Sequence, residues 1–364
     1  MPIDTNIDEL DEPDFTEDDQ NESPPIDIVA YNELRSCADL YRMQMDGVLD
    51  VKPAFQRDIV WKGADQTRFI DSLIKQLPIP SMCLALDYKN DRWIVIDGLQ
   101  RMTTIIRFLS GDDWTLSNLK DITKEIAGVN AAAIKNAKGP PLKGLFSRVQ
   151  NVSLPINVLR CDFSKKSHMS YLFTIFHRLN AGGIKLNNQE IRNAIYGGSF
   201  NDLLIELDKH AAWRSINRML PESNYRFVKQ EIILRMFAFL ENRKKYNGQI
   251  AKFLNDYMDD NKNIDAISIE AKRFQFTRAV SCLHRVFGEN SPENRIPTSI
   301  LESVLVGIAT NIEHIESLEQ NTLVQRYEEI RNNNQFTDAA VAEGTSKKDK
   351  VNSRFDIAIE IFSR

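Results

Sequence analysis

Cysteine is scarce in this chain, and what there is lies far apart. The four residues, Cys37, Cys83, Cys161 and Cys282, form no Cys-x-x-Cys pair and no Cys/His cluster. That argues against a disulfide framework and a structural zinc, and it suits a reducing cytoplasm. The five histidines, at 168, 177, 210, 284 and 314, have no metal-ligand spacing, and neither His-Glu-x-x-His nor Gly-x-Ser-x-Gly occurs. Long apolar runs are missing as well. The stretch 232–240 is broken by Arg235 and is about half of the roughly 18 residues a membrane span needs. The first residues hold neither a basic cluster nor an apolar stretch, so neither a signal peptide nor a membrane partner is expected.

Basic charge is absent from residues 1–27, which hold eleven Asp and Glu and no Lys or Arg. The formal charge of −5 therefore hides a body, 28–364, with 46 basic against 40 acidic residues. Such a body is compatible with a polyanionic partner. On composition the acidic segment reads as a solubilising tail with too little to bury. A sharper reading makes it a nucleic-acid mimic that competes for the basic surface.

Apolar spacing supplies the outline. Phe69, Ile70, Leu73, Ile74 and Leu77 predict a helix over 65–77, stopped by Pro78 and Pro80. "SMCLALDY" and "RWIVI" around Lys-Asn-Asp read as a hairpin, and "VSLPINVLRC" (152–161) as a further strand. Residues 26–43 are expected to hold a short helix, and "KGPPLKGLF" (138–146) to be a loop. From about residue 164 the pattern turns helical. Asn187 and Glu190 form a capping-box signature, and further helices are expected near 203–209, 228–243, 250–258, 267–287, 298–318, 321–332 and 353–363. The expected organisation is an acidic tail (1–27), an α/β domain (28–163) and a helical domain (164–364). With 364 residues the chain has enough surface to bury for two or three domains.

The stretch richest in chemistry is "WIVIDGLQRMTTIIRFL" (93–109), where a strand hands over to a helix through Asp97-Gly98. The helix N-terminus offers unbonded N–H groups and the positive end of a dipole, which together attract phosphate. Gly98 allows close backbone approach. Arg101 can fork two hydrogen bonds onto phosphate oxygens, and Gln100 can position a water or contact a base or sugar. Asp97 can hold a metal-bound water, accept a ribose hydroxyl or simply cap the helix; Thr103 and Thr104 can donate hydroxyls. The same residues also suit an ordinary amphipathic helix with polar decoration, and no Gly-x4-Gly-Lys-Ser/Thr loop accompanies them.

The segment "AFQRDIVWKGADQTRFIDSLIKQLPIPSMCLA…WIVIDGLQRMTTIIRFLSG" resembles the N-terminal domain of GmrSD-type modification-dependent restriction endonucleases. A Gln-Arg pair before an aromatic (Gln56, Arg57, Trp61), a helix leading to Pro-Ile-Pro, and the Asp-Gly-x-Gln-Arg signature carry the likeness. "FHRLNAGGIKLNNQEIRNAIYGG" (176–198) matches that family's second signature. The likeness extends over roughly 30–360. It implies an α/β (α+β) fold, a ParB/sulfiredoxin-like small mixed sheet with helices followed by an all-helical C-terminal region. It also implies nucleoside triphosphate as ligand or substrate, Mg²⁺ as a possible companion, NTPase activity, and DNA as partner in defence against modified phage DNA.

Carried over, the expected catalytic residues are Asp97, Gln100 and Arg101, and the expected phosphate-binding residues are Gln56, Arg57, Gly98, Arg101, Thr103, Thr104, Asn180 and Gly183. Asn180, Gly182, Gly183 and Arg192 can equally serve a helix stop and start. Leu99 stands where the family usually has a glutamine, which removes a polar group beside the expected site. No His-x-x-Pro sequence of a His-Asn-His nuclease is present, so a separate nuclease subunit is the expected partner.

Two further readings stand beside the nucleotide-dependent sensor. One is a metal-dependent nickase drawing on Asp97 with Asp112 and Asp113. The other is a non-enzymatic DNA-binding scaffold using Arg57, Arg101, Lys138, Lys143, Arg148 and the run 243–246.

Overall fold

Alternating apolar residues build a mixed sheet, and helical stripes cover it. The structure, a computed structural model, describes residues 24–51, 61–179, 186–219, 227–288, 292, 294–337 and 346–364. The chain divides between residues 185 and 186 into two units.

The first unit, Glu22–Lys185, holds β1 (Val29–Ser36), α1 (Cys37–Met45), β2 (Leu49–Asp50), α2 (Gly63–Ile74), β3 (Met82–Asp87), β4 (Arg92–Asp97) and α3 (Leu99–Ser110). After them come α4 (Ala131–Lys135), α5 (Leu142–Asn151), β5 (Ser153–Cys161) and α6 (Lys166–Leu179). The sheet order is β1-β5-β3-β4-β2. β1–β5 and β3–β4 are antiparallel, whereas β3–β5 and β2–β4 are parallel, so the sheet is mixed. Every second residue, including Leu84, Trp93, Val95, Ile156 and Val158, joins one core with α1, α2, α3 and α5. The opposite face of β4 is covered by α6 with its buried Met169, Leu172, Phe173 and Phe176.

The expected hairpin is β3–β4, the expected strand at 152–161 is β5, and the expected helix at 65–77 is α2. The short helix expected within residues 26–43 is α1, and a strand that the sequence did not announce precedes it. β1 lies at the sheet edge and is largely exposed, so it lacks the alternation of a half-buried strand. Ser36 ends it and caps α1, its Oγ accepting from Asp39 N at 3.0 Å. One expectation needs correcting: the expected loop 138–146 contains the start of α5. There Leu145 and Val149 are buried by a short helix that the Gly/Pro/Lys composition conceals.

Asp27, at the end of the acidic run, is fixed to α6: its carboxylate pairs with Lys165 and lies 2.9 Å from His168 Nε2. These partners hold its pKa well below the usual carboxylate value, at about 2.

The second unit, from Leu186 onward, is helical. It contains α7 (Asn188–Ile195), α8 (Ser199–Leu207), α9 (Ala211–Ile216), α10 (Val228–Asn242), α11 (Ile250–Asn261) and α12 (Ala266–Phe287). Then follow α13 (Thr298–Thr310), α14 (Ile312–Ser317), α15 (Gln320–Arg331) and α16 (Lys348–Ser363). α7 starts with the expected capping box. Glu190 N donates to Asn187 Oδ1 at 2.8 Å, and Asn187 N donates to Glu190 Oε2 at 2.7 Å. The expected helix 298–318 is interrupted at Asn311, whose Nδ2 donates to the carbonyls of Gly307 and Ile359.

Away from water, side chains of alternating charge run from α7 through α10 and α13 to α16. Arg192 meets Glu231 at 2.7 Å, Glu231 meets Arg235 at 2.8 Å, Arg235 meets Glu302 at 3.0 Å, and Glu302 lies 3.9 Å from Arg354.

Candidate functional site

The turn from β4 into α3 is shaped by one glycine. Gly98 has φ +95°, and a Cβ built there would stand 2.5 Å from Met82 Cγ, so both conformation and packing demand glycine. Its carbonyl accepts from Met102 N at 2.9 Å, which starts α3. Among the described residues no side chain caps the helix, so the N–H groups of Leu99, Gln100 and Arg101 form an uncapped first turn at the positive end of a twelve-residue helix.

Asp97 and Arg101 face each other across this turn. Arg101 Nη2 donates to Asp97 Oδ2 at 2.9 Å and to the Ser81 carbonyl at 3.4 Å, while Nη1 donates to the Pro80 carbonyl. The Arg101 side chain is 14% exposed, against 40% for Asp97. The carboxylate thus reaches solvent while the guanidinium is spent on holding it. Gln100 Oε1 accepts from Trp61 N at 3.4 Å. Here the described chain returns after leaving at Val51, beside the parallel pair β2–β4.

Residues 37–197 match the family model described as "GmrSD restriction endonuclease, N-terminal domain". This segment belongs to the GmrSD N-terminal domain family. The match runs from α1 through α7, shorter than the 30–360 that the motifs suggested, and it ties the chain to restriction systems. No curated protein matches the chain.

Within the GmrSD domain, the structure brings Asp97, Gly98, Gln100 and Arg101 together at one turn. It assigns the threonines elsewhere. Thr103 Oγ1 donates to the Leu99 carbonyl at 2.9 Å. Thr104 is fully buried and donates to the Gln100 carbonyl at 2.7 Å. Both hydroxyls serve the helix backbone, and Thr104 cannot reach a ligand at all; helical spacing alone does not show that an i−4 carbonyl takes the proton. Gln56, Arg57, Asn180, Gly182 and Gly183 lie outside the described residues. Arg192 is buried in the charge run of the helical unit, where Asn255 and Glu231 accept from it at 2.8 and 2.7 Å.

Pro80, Ser81 and Asn157 are additions to the site. Asn157 Nδ2 donates to Ser81 Oγ at 3.2 Å from the exposed side of β5. The signal for the first two lay in "LPIPS", which reads as a helix stop but also supplies the carbonyls that grip Arg101. Cys83, paired with Asp97 in the sheet register, is pushed up to about 12 by burial, with the Asp97 charge adding to it, so it stays a thiol.

Among the described residues no group of three or more His, Cys, Asp and Glu could hold a metal ion. Asp112 and Asp113 stand beyond the far end of α3, about 18 Å along its axis from Asp97. Asp113 there accepts from Asn130 Nδ2 at 2.9 Å. The carboxylate cluster that a metal-dependent nickase would want is not assembled from these three aspartates. Among the described residues no helix is long and apolar enough to cross a membrane.

Proposed function

We propose that this chain is a nucleotide-binding, NTP-hydrolysing sensor or regulator of a DNA-modification-dependent restriction system. The observation that carries the reading is the uncapped first turn of α3 beside a carboxylate that is fixed in place yet open to solvent. The N–H groups of that turn would bind the phosphates. Gln100 would orient the base, sugar or attacking water. Arg101 acts as a positioning residue, because its donors are engaged by Asp97 and two carbonyls. Asp97 would contribute one carboxylate oxygen to a Mg²⁺ ion carried by the nucleotide, which neutralises phosphate charge when bound. The side chain of Leu99, the first residue of α3, offers no hydrogen bond, so binding is better supported than rapid turnover. Cleavage of DNA then falls to a nuclease supplied by a partner.

Thermal unfolding of the purified chain with each of the four NTPs, with and without Mg²⁺, tests the reading. A nucleotide at about one hundred times its Kd stabilises the fold by about 2.7 kcal/mol. At least one NTP should therefore raise Tm by a few degrees, and Asp97→Asn should remove the Mg²⁺-dependent part. Unchanged Tm with all four rejects it.

A further inference from the structure

We propose that the exposed side of α4 and α5 is the surface on which this chain holds the sugar-phosphate backbone of double-stranded DNA. From residue 126 to residue 161 there is no Asp or Glu, although the chain has 51 in 364 residues. The same stretch holds Lys135, Lys138, Lys143, Arg148 and Arg160. The fold gathers most of this charge on one side of α5. Leu145 and Val149 turn into the core, while Lys143, Gly144, Ser147, Arg148 and Asn151 face solvent, with Lys138 just ahead of the helix.

Three observations favour a phosphate backbone. First, among the described residues Lys138, Lys143 and Arg148 have no carboxylate partner. Exposed arginines elsewhere do: Arg42 pairs with Asp39, Arg68 with Asp121, and Arg364 with Glu360. Second, a Cβ at Gly139 or Gly144 would meet nothing within 4 Å. The side is therefore low and open to a wide partner. Third, the Ser147 hydroxyl, which accepts from Asn151 Nδ2 at 3.3 Å, can donate its own proton to phosphate oxygen, and no large exposed apolar residue occurs between 126 and 161. A membrane-binding helix would present such residues.

α5 is about 15 Å long, a distance over which one DNA strand carries about four phosphates. Duplex DNA is the polyanion that a restriction protein must meet. The inference therefore rests on the restriction reading, but not on nucleotide binding at α3.

The test uses the full chain and a short fluorescein-labelled duplex, with anisotropy titrations over a series of KCl concentrations. Lys138→Gln/Lys143→Gln/Arg148→Gln should bind at least tenfold more weakly at low salt. The slope of log K against log salt should fall by about 2–3, at about 0.9 for each phosphate that is no longer neutralised. Lys347→Gln/Lys348→Gln/Lys350→Gln removes the same charge from the helical unit and should leave affinity within twofold. The proposal is overturned by an unchanged slope in the first variant, by an equal loss in the second, or by a wild-type chain that ignores duplex but binds anionic vesicles. Nucleotide-induced Tm shifts, measured on the same samples, report the α3 site separately. Their absence would reject that site and leave this surface standing.

Discussion

Arg101 reaches three oxygens at once, the carboxylate of Asp97 and the carbonyls of Pro80 and Ser81, and so ties the start of α3 to the chain entering β3. Removing it strands polar groups instead of exposing a fresh cavity. Arg101→Ala should therefore cost about 1–3 kcal/mol in urea unfolding. Arg101→Lys, a point donor in place of a planar fork, should recover only part of that. A lysine variant as stable as wild type would show that the three-way grip contributes little. The neighbouring Asp97-Gly98 was legible in the sequence, because a strand that hands over to a helix in two residues needs a left-handed turn on the spot. The engagement of Arg101 was not legible. Two of its three acceptors are backbone atoms some twenty positions away, and carbonyls have no signature in a string of side chains.

Helices were legible where a wide apolar stripe met a clear stop, as in α2, α3 and α10, and where a cap announced itself, as at α7. The two reciprocal bonds of that cap form with both side chains buried. Asn187→Ala should then lower the stability of the helical unit by about 1–2 kcal/mol, seen as a lower urea midpoint with an unchanged m-value. The elements that the sequence conceals share a cause. β1 pairs on one side only and stays largely exposed, and α5 buries few side chains behind a Pro-Pro turn, so neither needs the periodicity that betrays a buried element. In α5 the informative signal was charge, a long stretch without carboxylates, and not hydropathy.

Across the helical unit, stability is tied to pH through a buried carboxyl at the end of α8. Asp208 is 3% exposed, accepts from Trp213 Nε1 at 3.3 Å and lies 3.6 Å from Arg214. Burial pushes its pKa up to about 6, against an ordinary value of 3.8. The folded state therefore holds the proton more tightly than the unfolded chain. Its contribution is fullest below about pH 4 and disappears as pH rises through 6. Between pH 5 and pH 7 the loss amounts to about 1–1.5 kcal/mol. Nearby His210, held below its usual pKa by burial, titrates in the opposite sense, so the informative quantity is the difference between wild type and Asp208→Asn. That difference should shift against wild type by this amount from pH 5 to pH 7. A constant difference would place the carboxyl in a wetter setting than its 3% exposure implies.

The run of opposite charges from Arg192 to Arg354 has an evolutionary corollary. Losing any one member maroons its neighbour in an oily interior, at about 3–5 kcal/mol, whereas exchanging the whole set for greasy side chains of equal bulk can be neutral. These five positions thus behave as a single inherited letter: descendants should retain all of them or rewrite them together, and mixed intermediates should be rare.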